Sequence, residues 1–259
     1  MKMATLLLKK SYRHKDLKEI KFNDLWNSHG VFTTMRVIGK PAKILFFNDH
    51  INNLTRSLKV YKINKKNIKK NILKLIKLNI SNKKKYDHLF RVASNNKMIS
   101  ISLRKRLKPK LNFTLKLVNY KRIDPEYKNL KYKKIINFLK KIDPTKFDIT
   151  LYKNKKILET GTSNLLLIKK NKIYSPIKNF YEGTTFKFFS KKIRKIKKIN
   201  ITIDSLNTYD EIIIIGSGKG VVSVNRVENI DWKRKSLKNY RVLSKMYEKA
   251  VANCPRYNG

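Results

Sequence analysis

Lysine interrupts every apolar stretch of this sequence, and no window approaches the roughly 18 uninterrupted apolar residues that a membrane-spanning helix needs. A chain built this way is restricted to short strands and amphipathic helices, and is expected to be soluble. The opening run Leu6-Leu7-Leu8 is closed at once by Lys9 and Lys10, too short for the core of a signal peptide. Lys plus Arg number 63 against 17 Asp plus Glu, a net charge of +46, yet 41% of residues are hydrophobic and 10% aromatic. The chain is basic without being core-poor, so it should fold. At 259 residues it should form one large domain or two modest ones. Cys254 stands alone, which leaves no disulfide framework and no cysteine-based metal cluster and fits a reducing, cytoplasmic setting.

The charge invites a nucleic-acid reading, since lysine-rich faces release counterions from phosphate backbones. A second reading explains more. Lys, Asn and Ile are in excess together, including at Asn52, Asn53, Asn67, Asn71 and Asn79, which have no evident task. A general drift of surface positions accounts for all three excesses, whereas a binding patch accounts only for lysine. The basic residues are also spread along the whole length, although 65–85 and 187–198 are dense. Such charge favours anionic ligands, with nucleic acid bound only nonspecifically.

Residues 31–38 and 43–47 read as a strand pair around Gly39-Lys40-Pro41. Asp49 then caps a helix carrying Ile51, Leu54, Leu58 and Tyr61, and a second helix runs through Ile68, Ile72 and Leu75. Residues 89–93, 99–103 and 113–118 read as strands, the first two joined by a hairpin at Asn95-Asn96. Residues 120–126 contain Pro125 and no periodicity and form the expected linker between a first part, 1–119, and a second, 127–259. In the second part a helix runs to about 142, followed by short strands at 147–152, 157–159, 165–168 and 172–174. Phe186, Phe189, Ile193 and Ile196 mark another helix. Strands at 201–203, 211–215 and 221–224 precede a terminal helix with Leu243, Met246, Tyr247 and Ala250. This is mixed α+β in two parts.

His14, His29, His50 and His88 show no metal-ligand spacing, the carboxylates form no obvious cluster, and no GxSxG elbow is present. His50, opening a helix, reads as a capping or surface residue. Two glycine and hydroxyl clusters carry more information. Glu182-Gly183-Thr184-Thr185 stands before a helix, whose N-terminal N–H groups attract anions. Gly216-Ser217-Gly218-Lys219-Gly220 joins two strands, where glycine permits close backbone approach to a ligand. Together they suggest a phosphate held from two loops.

The order Leu158-Glu159-Thr160-Gly161-Thr162-Ser163-Asn164, then 172–176, then Glu182-Gly183-Thr184-Thr185, then Gly216-Ser217-Gly218 resembles the signature of class IV aminotransferases, the fold type IV pyridoxal-phosphate enzymes. Upstream, His29-Gly30-Val31-Phe32-Thr33-Thr34-Met35-Arg36-Val37 and His50-Ile51-Asn52-Asn53-Leu54 resemble that family's N-terminal strand and helix. The likeness spans about 25–230. It implies a two-domain fold with pyridoxal 5'-phosphate between the domains, and a homodimer.

By the same resemblance, Lys128-Asn129-Leu130-Lys131-Tyr132 fits the family's lysine motif at the opening of a helix. Lys128 is then the Schiff-base lysine and Lys131, where the family has asparagine, the runner-up. Glu159 would face the pyridine nitrogen. Asn164, Gly183, Thr184, Thr185, Gly216, Ser217 and Gly218 would hold the cofactor, and Thr34 and Arg36 would meet an amine substrate. Two positions depart from the pattern: Asn53 stands where an arginine usually contacts the phosphate, with Arg56 or a lysine as the available substitute, and Phe186 replaces an arginine after the G-x-T turn. An inactive homologue is therefore one reading. The stretch Phe32-Thr33-Thr34-Met35-Arg36-Val37 most resembles aminodeoxychorismate lyase, which makes 4-aminobenzoate for folate biosynthesis. Branched-chain and D-amino-acid aminotransferases are the alternatives.

Overall fold

The structure, a computed structural model, describes residues 5–63, 66–193 and 195–257. Two units divide the chain. The first takes residues 5–106, 127–133 and 253–257 of those described. The second takes Leu107–Glu126 and Lys134–Ala252.

The first unit is an antiparallel sheet of β1 (Leu6–Arg13), β2 (Glu19–Ile20), β3 (Gly30–Gly39), β4 (Lys43–Ile44), β5 (Tyr86–Asn95) and β6 (Met98–Lys105), with α1 (Phe47–Val60) and α2 (Ile68–Asn79) between β4 and β5. The strand order is β2-β1-β6-β5-β3-β4. Alternation along β3 sends Val31, Met35 and Val37 into the core with Ile51, Leu54 and Leu58 of α1 and Ile72 and Leu75 of α2. The intervening Phe32 joins Leu25, Ala93 and Leu130 in a second cluster. Asn95 makes the expected β5–β6 turn, its Oδ1 accepting the N–H groups of Lys97 and Met98, each at 2.9 Å. The expected strand at 43–47 is cut to two residues. Phe46 adopts left-handed backbone (φ 56°) and α1 begins at Phe47 without a side-chain cap, two residues before Asp49.

The second unit contains β7 (Phe113–Asn119), α3 (Lys133–Leu139, from Lys134 on), β8 (Phe147–Lys153), β9 (Lys156–Thr160), β10 (Asn164–Lys169), β11 (Lys172–Pro176), α4 (Thr184–Lys192), β12 (Ile196–Ile199), β13 (Glu211–Gly216), β14 (Gly220–Val227), β15 (Trp232–Lys233) and α5 (Lys238–Ala252). Its sheet runs β12-β11-β10-β13-β14-β7-β8-β9, with β15 on β14. The pairs β11–β12, β14–β7 and β7–β8 are parallel. Phe113, Leu115, Leu165, Leu167, Ile212, Ile214, Val222 and Trp232 fill one core.

The expected division at 120–126 is displaced. β7, expected in the first part, lies between β14 and β8 because Phe113 and Leu115 bury in the second core. The stretch 120–126 is no free connector, since Arg122 and Pro125 are buried. Residues 127–133 return to β3: Phe32 N–H donates to Lys128 O and Leu130 N–H to Gly30 O, both at 2.9 Å, and Val31 bridges Asn129. Lys128 therefore lies in irregular backbone bonded to β3 and not at a helix entrance; α3 starts at Lys133 and ends at Leu139. The helix through Phe186 and Phe189 stops at Lys192, and Ile196 begins a strand parallel to β11. Residues 201–203 are not a named strand and lead into a 3-10 turn, Asp204–Thr208. Among the described residues, no helix is long and apolar enough to cross a membrane.

Candidate active site

Glu159 sits on β9 opposite Leu151 of β8 and is buried. Arg122 grips it with two bonds, Nε to Oε1 at 2.6 Å and Nη2 to Oε2 at 3.1 Å, and Tyr181 N–H adds a third to Oε2 at 3.2 Å. Arg122 Nη2 also donates to Pro125 O at 2.6 Å. The carboxylate thus faces a permanent cation in fork geometry, and with about four lone-pair sites it retains capacity for one more N–H donor. Arg122 was not singled out by the sequence, because it lies in the unpatterned stretch 120–126.

Two loops meet beside β10. Asn164 Nδ2 donates to Tyr181 O at 2.5 Å and its Oδ1 accepts Gly183 N–H at 3.0 Å. A Cβ at Gly183 would lie 2.9 Å from Asn164 Oδ1, so this approach requires glycine. Asn164 braces the loop that opens α4. Thr184 and Thr185 form the first turn of α4, both buried, and Thr185 Oγ1 has no hydrogen-bond partner. Phe186 is turned inward against Phe180, ring centroids 5.6 Å apart, so its position serves the core. On the neighbouring residue, Ser163, rests the β13–β14 hairpin: a Cβ at Gly216 would lie 2.9 Å from Ser163 Oγ. Gly216 pairs with Gly220, and Ser217, Gly218 and Lys219 make the turn. Glu159, Asn164, Gly183, Thr184, Thr185 and Gly216 are thereby brought into one neighbourhood of the second unit, through Tyr181 and the Ser163-Asn164 pair.

Lys128, Thr34 and Arg36 belong to the first unit. Lys128 is half-buried, its Nζ 5.2 Å from the centre of the Phe32 ring. Burial, with Lys128's charge adding to it, pushes the His50 imidazole down to about 3, and its Nδ1 lies 2.8 Å from Thr33 Oγ1. His50, read as a capping or surface residue, is a buried neutral group. Lys131 is exposed. The two lysines are not on one helical face, because both precede α3, and Lys131 N–H donates to Asn129 Oδ1 in a turn between them. Asn53 is buried in α1 and Arg56 is exposed.

Thr34 is opposite Arg91 in the β3–β5 pair, and Arg36 opposite Leu89, which in turn faces Arg104 on β6. Directly opposed residues share a sheet face, so Thr34, Arg36, Arg91 and Arg104 lie together on the side of Phe32. Arg36 donates through Nε to Asp87 at 3.0 Å. Arg91 stacks 3.8 Å over Trp26 and 5.3 Å from Phe32, bonds Asp24 O at 2.8 Å through Nη2, and leaves its buried Nε unmatched. Burial pulls its guanidinium down to about 10, with Asp24 opposing and Arg104 reinforcing the shift. Arg91 and Arg104 escaped the sequence reading; the signal was available in the β3–β5–β6 register.

The residues fit a phosphorylated pyridine aldehyde. Thr185's orphaned hydroxyl at a helix start and the glycine-lined turn at 216 suit a phosphate, and Glu159 suits a protonated ring nitrogen. In the other unit, the Lys128 amine lies beside the Phe32 ring.

Solved structures share the fold at low identity. A branched-chain aminotransferase from Thermoproteus uzoniensis with norvaline has a TM-score of 0.75 at 15% identity, covering 94% of this chain and 95% of its own. A branched-chain amino acid aminotransferase from Thermobaculum terrenum in its PLP form gives 0.74 at 13%, covering 93% of each. A candidate 4-amino-4-deoxychorismate lyase from Legionella pneumophila gives 0.69 at 18%, covering 86% of this chain and 91% of its own. No curated protein matches the sequence. The amino-transferase class IV profile matches residues 30–227, from the first residue of β3 to the last of β14. The chain belongs to the class IV amino-transferase family.

Proposed function

We propose that this protein is a pyridoxal 5'-phosphate enzyme that acts as a 4-amino-4-deoxychorismate lyase, releasing pyruvate and leaving 4-aminobenzoate. When bound, the cofactor supplies an aldehyde that bonds amines and a ring that accepts electrons from the reacting carbon. Lys128 is the amine that would hold the cofactor and the base that would take the proton from the substrate ring carbon bearing the amine. Glu159, gripped by Arg122, keeps the ring nitrogen protonated. Thr184, Thr185, Ser217 and the backbone of Gly183, Gly216 and Gly218 hold the phosphate, with Asn164 bracing the first of these loops.

The observation that carries the lyase reading is the sheet face with Thr34, Arg36, Arg91 and Arg104. Its guanidinium groups match a substrate with two carboxylates better than the apolar side chain of a branched-chain amino acid. Branched-chain or D-amino-acid transfer begins with the same proton removal and is the other outcome of the test. Cofactor-loaded protein should release pyruvate from 4-amino-4-deoxychorismate without an added keto acid. Amino transfer to a keto acid, with no pyruvate from that substrate, would overturn the lyase reading and keep the enzyme class. A two-chain assembly belongs to the same proposal, and a one-chain mass by sedimentation at micromolar concentration would contradict it.

A further inference from the structure

Lys219 is the fourth residue of Gly216-Ser217-Gly218-Lys219-Gly220, where a lysine would be expected to reach out toward an anion. Its side chain is instead folded inward and only 10% exposed. Nζ donates to Pro144 O at 3.0 Å, lies 4.7 Å from the centre of the Phe113 ring and stands 3.9 Å from Asp148 Oδ2. Asp148 is fully buried at the start of β8, and Thr162 Oγ1 donates to its Oδ2 at 2.6 Å while Ile149 N–H donates to Oδ1 at 2.8 Å. Burial pushes the Asp148 carboxyl up, with Lys219 the largest opposing influence. One carboxylate therefore contacts both halves of the neighbourhood. Thr162 precedes Ser163, on which the Gly216 end of the turn rests, and Lys219 is the last residue of the turn itself.

We propose that Lys219 and Asp148 are positioning residues: a charged latch that fixes the Ser217-Gly218 turn against Ser163 in the shape that receives a phosphate. The inference rests on the reading of that turn as part of the phosphate grip. Three features favour a latch over incidental packing. The segment 216–220 has three glycines, one of them, Gly220, in left-handed backbone at φ 77°, so its backbone is loosely specified by itself. The ammonium sits 4.7 Å from the centre of the Phe113 ring, on a side chain only 10% exposed, so it is shielded from water. The carboxylate is immobilised by bonds from residues on the other side of the turn's contact, so movement of Lys219 is transmitted to Ser163 through Thr162.

The test compares two ligands. Binding of pyridoxal 5'-phosphate and of pyridoxal, which lacks the phosphate, is measured by tryptophan fluorescence for the wild-type protein, for Lys219→Met and for the double variant Lys219→Met/Asp148→Asn. The double variant removes both charges, so it leaves no unpaired buried ion and should fold where the single variant is strained by the lone Asp148 carboxylate. A latch predicts that both variants lose affinity for pyridoxal 5'-phosphate by about tenfold or more, the size of a 1.4 kcal/mol change, while affinity for pyridoxal moves by less than about twofold. Equal losses for the two ligands, or no loss in a folded double variant, would overturn the latch. Wild-type protein that binds neither form would overturn the cofactor reading itself, and the latch with it.

Discussion

Arg122 and Glu159 form a pair with side chains 4% and 6% exposed, so each ion depends on the other for its solvation. Removing one partner of such a pair costs about 3–5 kcal/mol. Arg122→Met should therefore lower the urea midpoint markedly, and Arg122→Met/Glu159→Gln should recover part of the loss. His50 makes a pH-dependent contribution. Its folded pKa of about 3 lies below the ordinary 6.5, so below pH 6.5 the unfolded chain takes up a proton that the folded protein refuses. Stability from this group is complete above pH 6.5 and lost as pH falls from there toward 3. Thermal melting across that window should fall more steeply for wild type than for His50→Asn. The lysine assignment is tested by Lys128→Ala, which should abolish turnover and the absorbance near the visible edge of cofactor-loaded protein, while Lys131→Asn leaves both largely intact. Glu159 stood out in the sequence because the pattern around it, Leu158 to Asn164, is ordered against two later glycine turns. Its partner was not, since one arginine among 63 basic residues carries no local mark.

Elements were legible where one period dominates. β3, β5, α1 and the β13–β14 hairpin follow from alternation, helical spacing or paired glycines. Failures came where lysine occupies the solvent side of a strand: β1 reads as a broken apolar run, yet its residues Ser11 and Tyr12 are buried against β6. Ile193 and Ile196 match a helical spacing by accident, and pairing of Ile196 with Ile173 of β11 decides the outcome. The segment carrying Lys128 is the most consequential case, because tertiary pairing with β3 overrides a helix-like pattern. Gly30 is the residue that admits this segment. A Cβ there would lie 2.5 Å from Ser94 O and 2.7 Å from Leu130 Cδ1. Gly30→Ala should cost about 2 kcal/mol in a urea melt and raise the exchange rate of the Leu130 amide, which donates to Gly30 O.

At the scale of the whole molecule, the charge of +46 accompanies ordinary cores, consistent with surface drift instead of one binding stripe. Retention on a polyanion column should fall steeply with salt and show no preference among nucleic-acid sequences. That there are two parts was legible from sequence; how the chain is shared between them was not, because membership of β7 is settled by neighbours far along the chain. β7 ends at Asn119, but one of its partners, β14, begins at Gly220. On the ribosome this strand emerges about a hundred residues before that neighbour, at a synthesis rate of about 5–20 residues per second. For several seconds it is an apolar strand with a vacant edge, in the interval when unpaired edges are most prone to capture by other chains. The nascent protein must shelter Phe113 and Leu115 until β14 arrives, so the yield of folded protein depends on the timing of translation through β8 to β14.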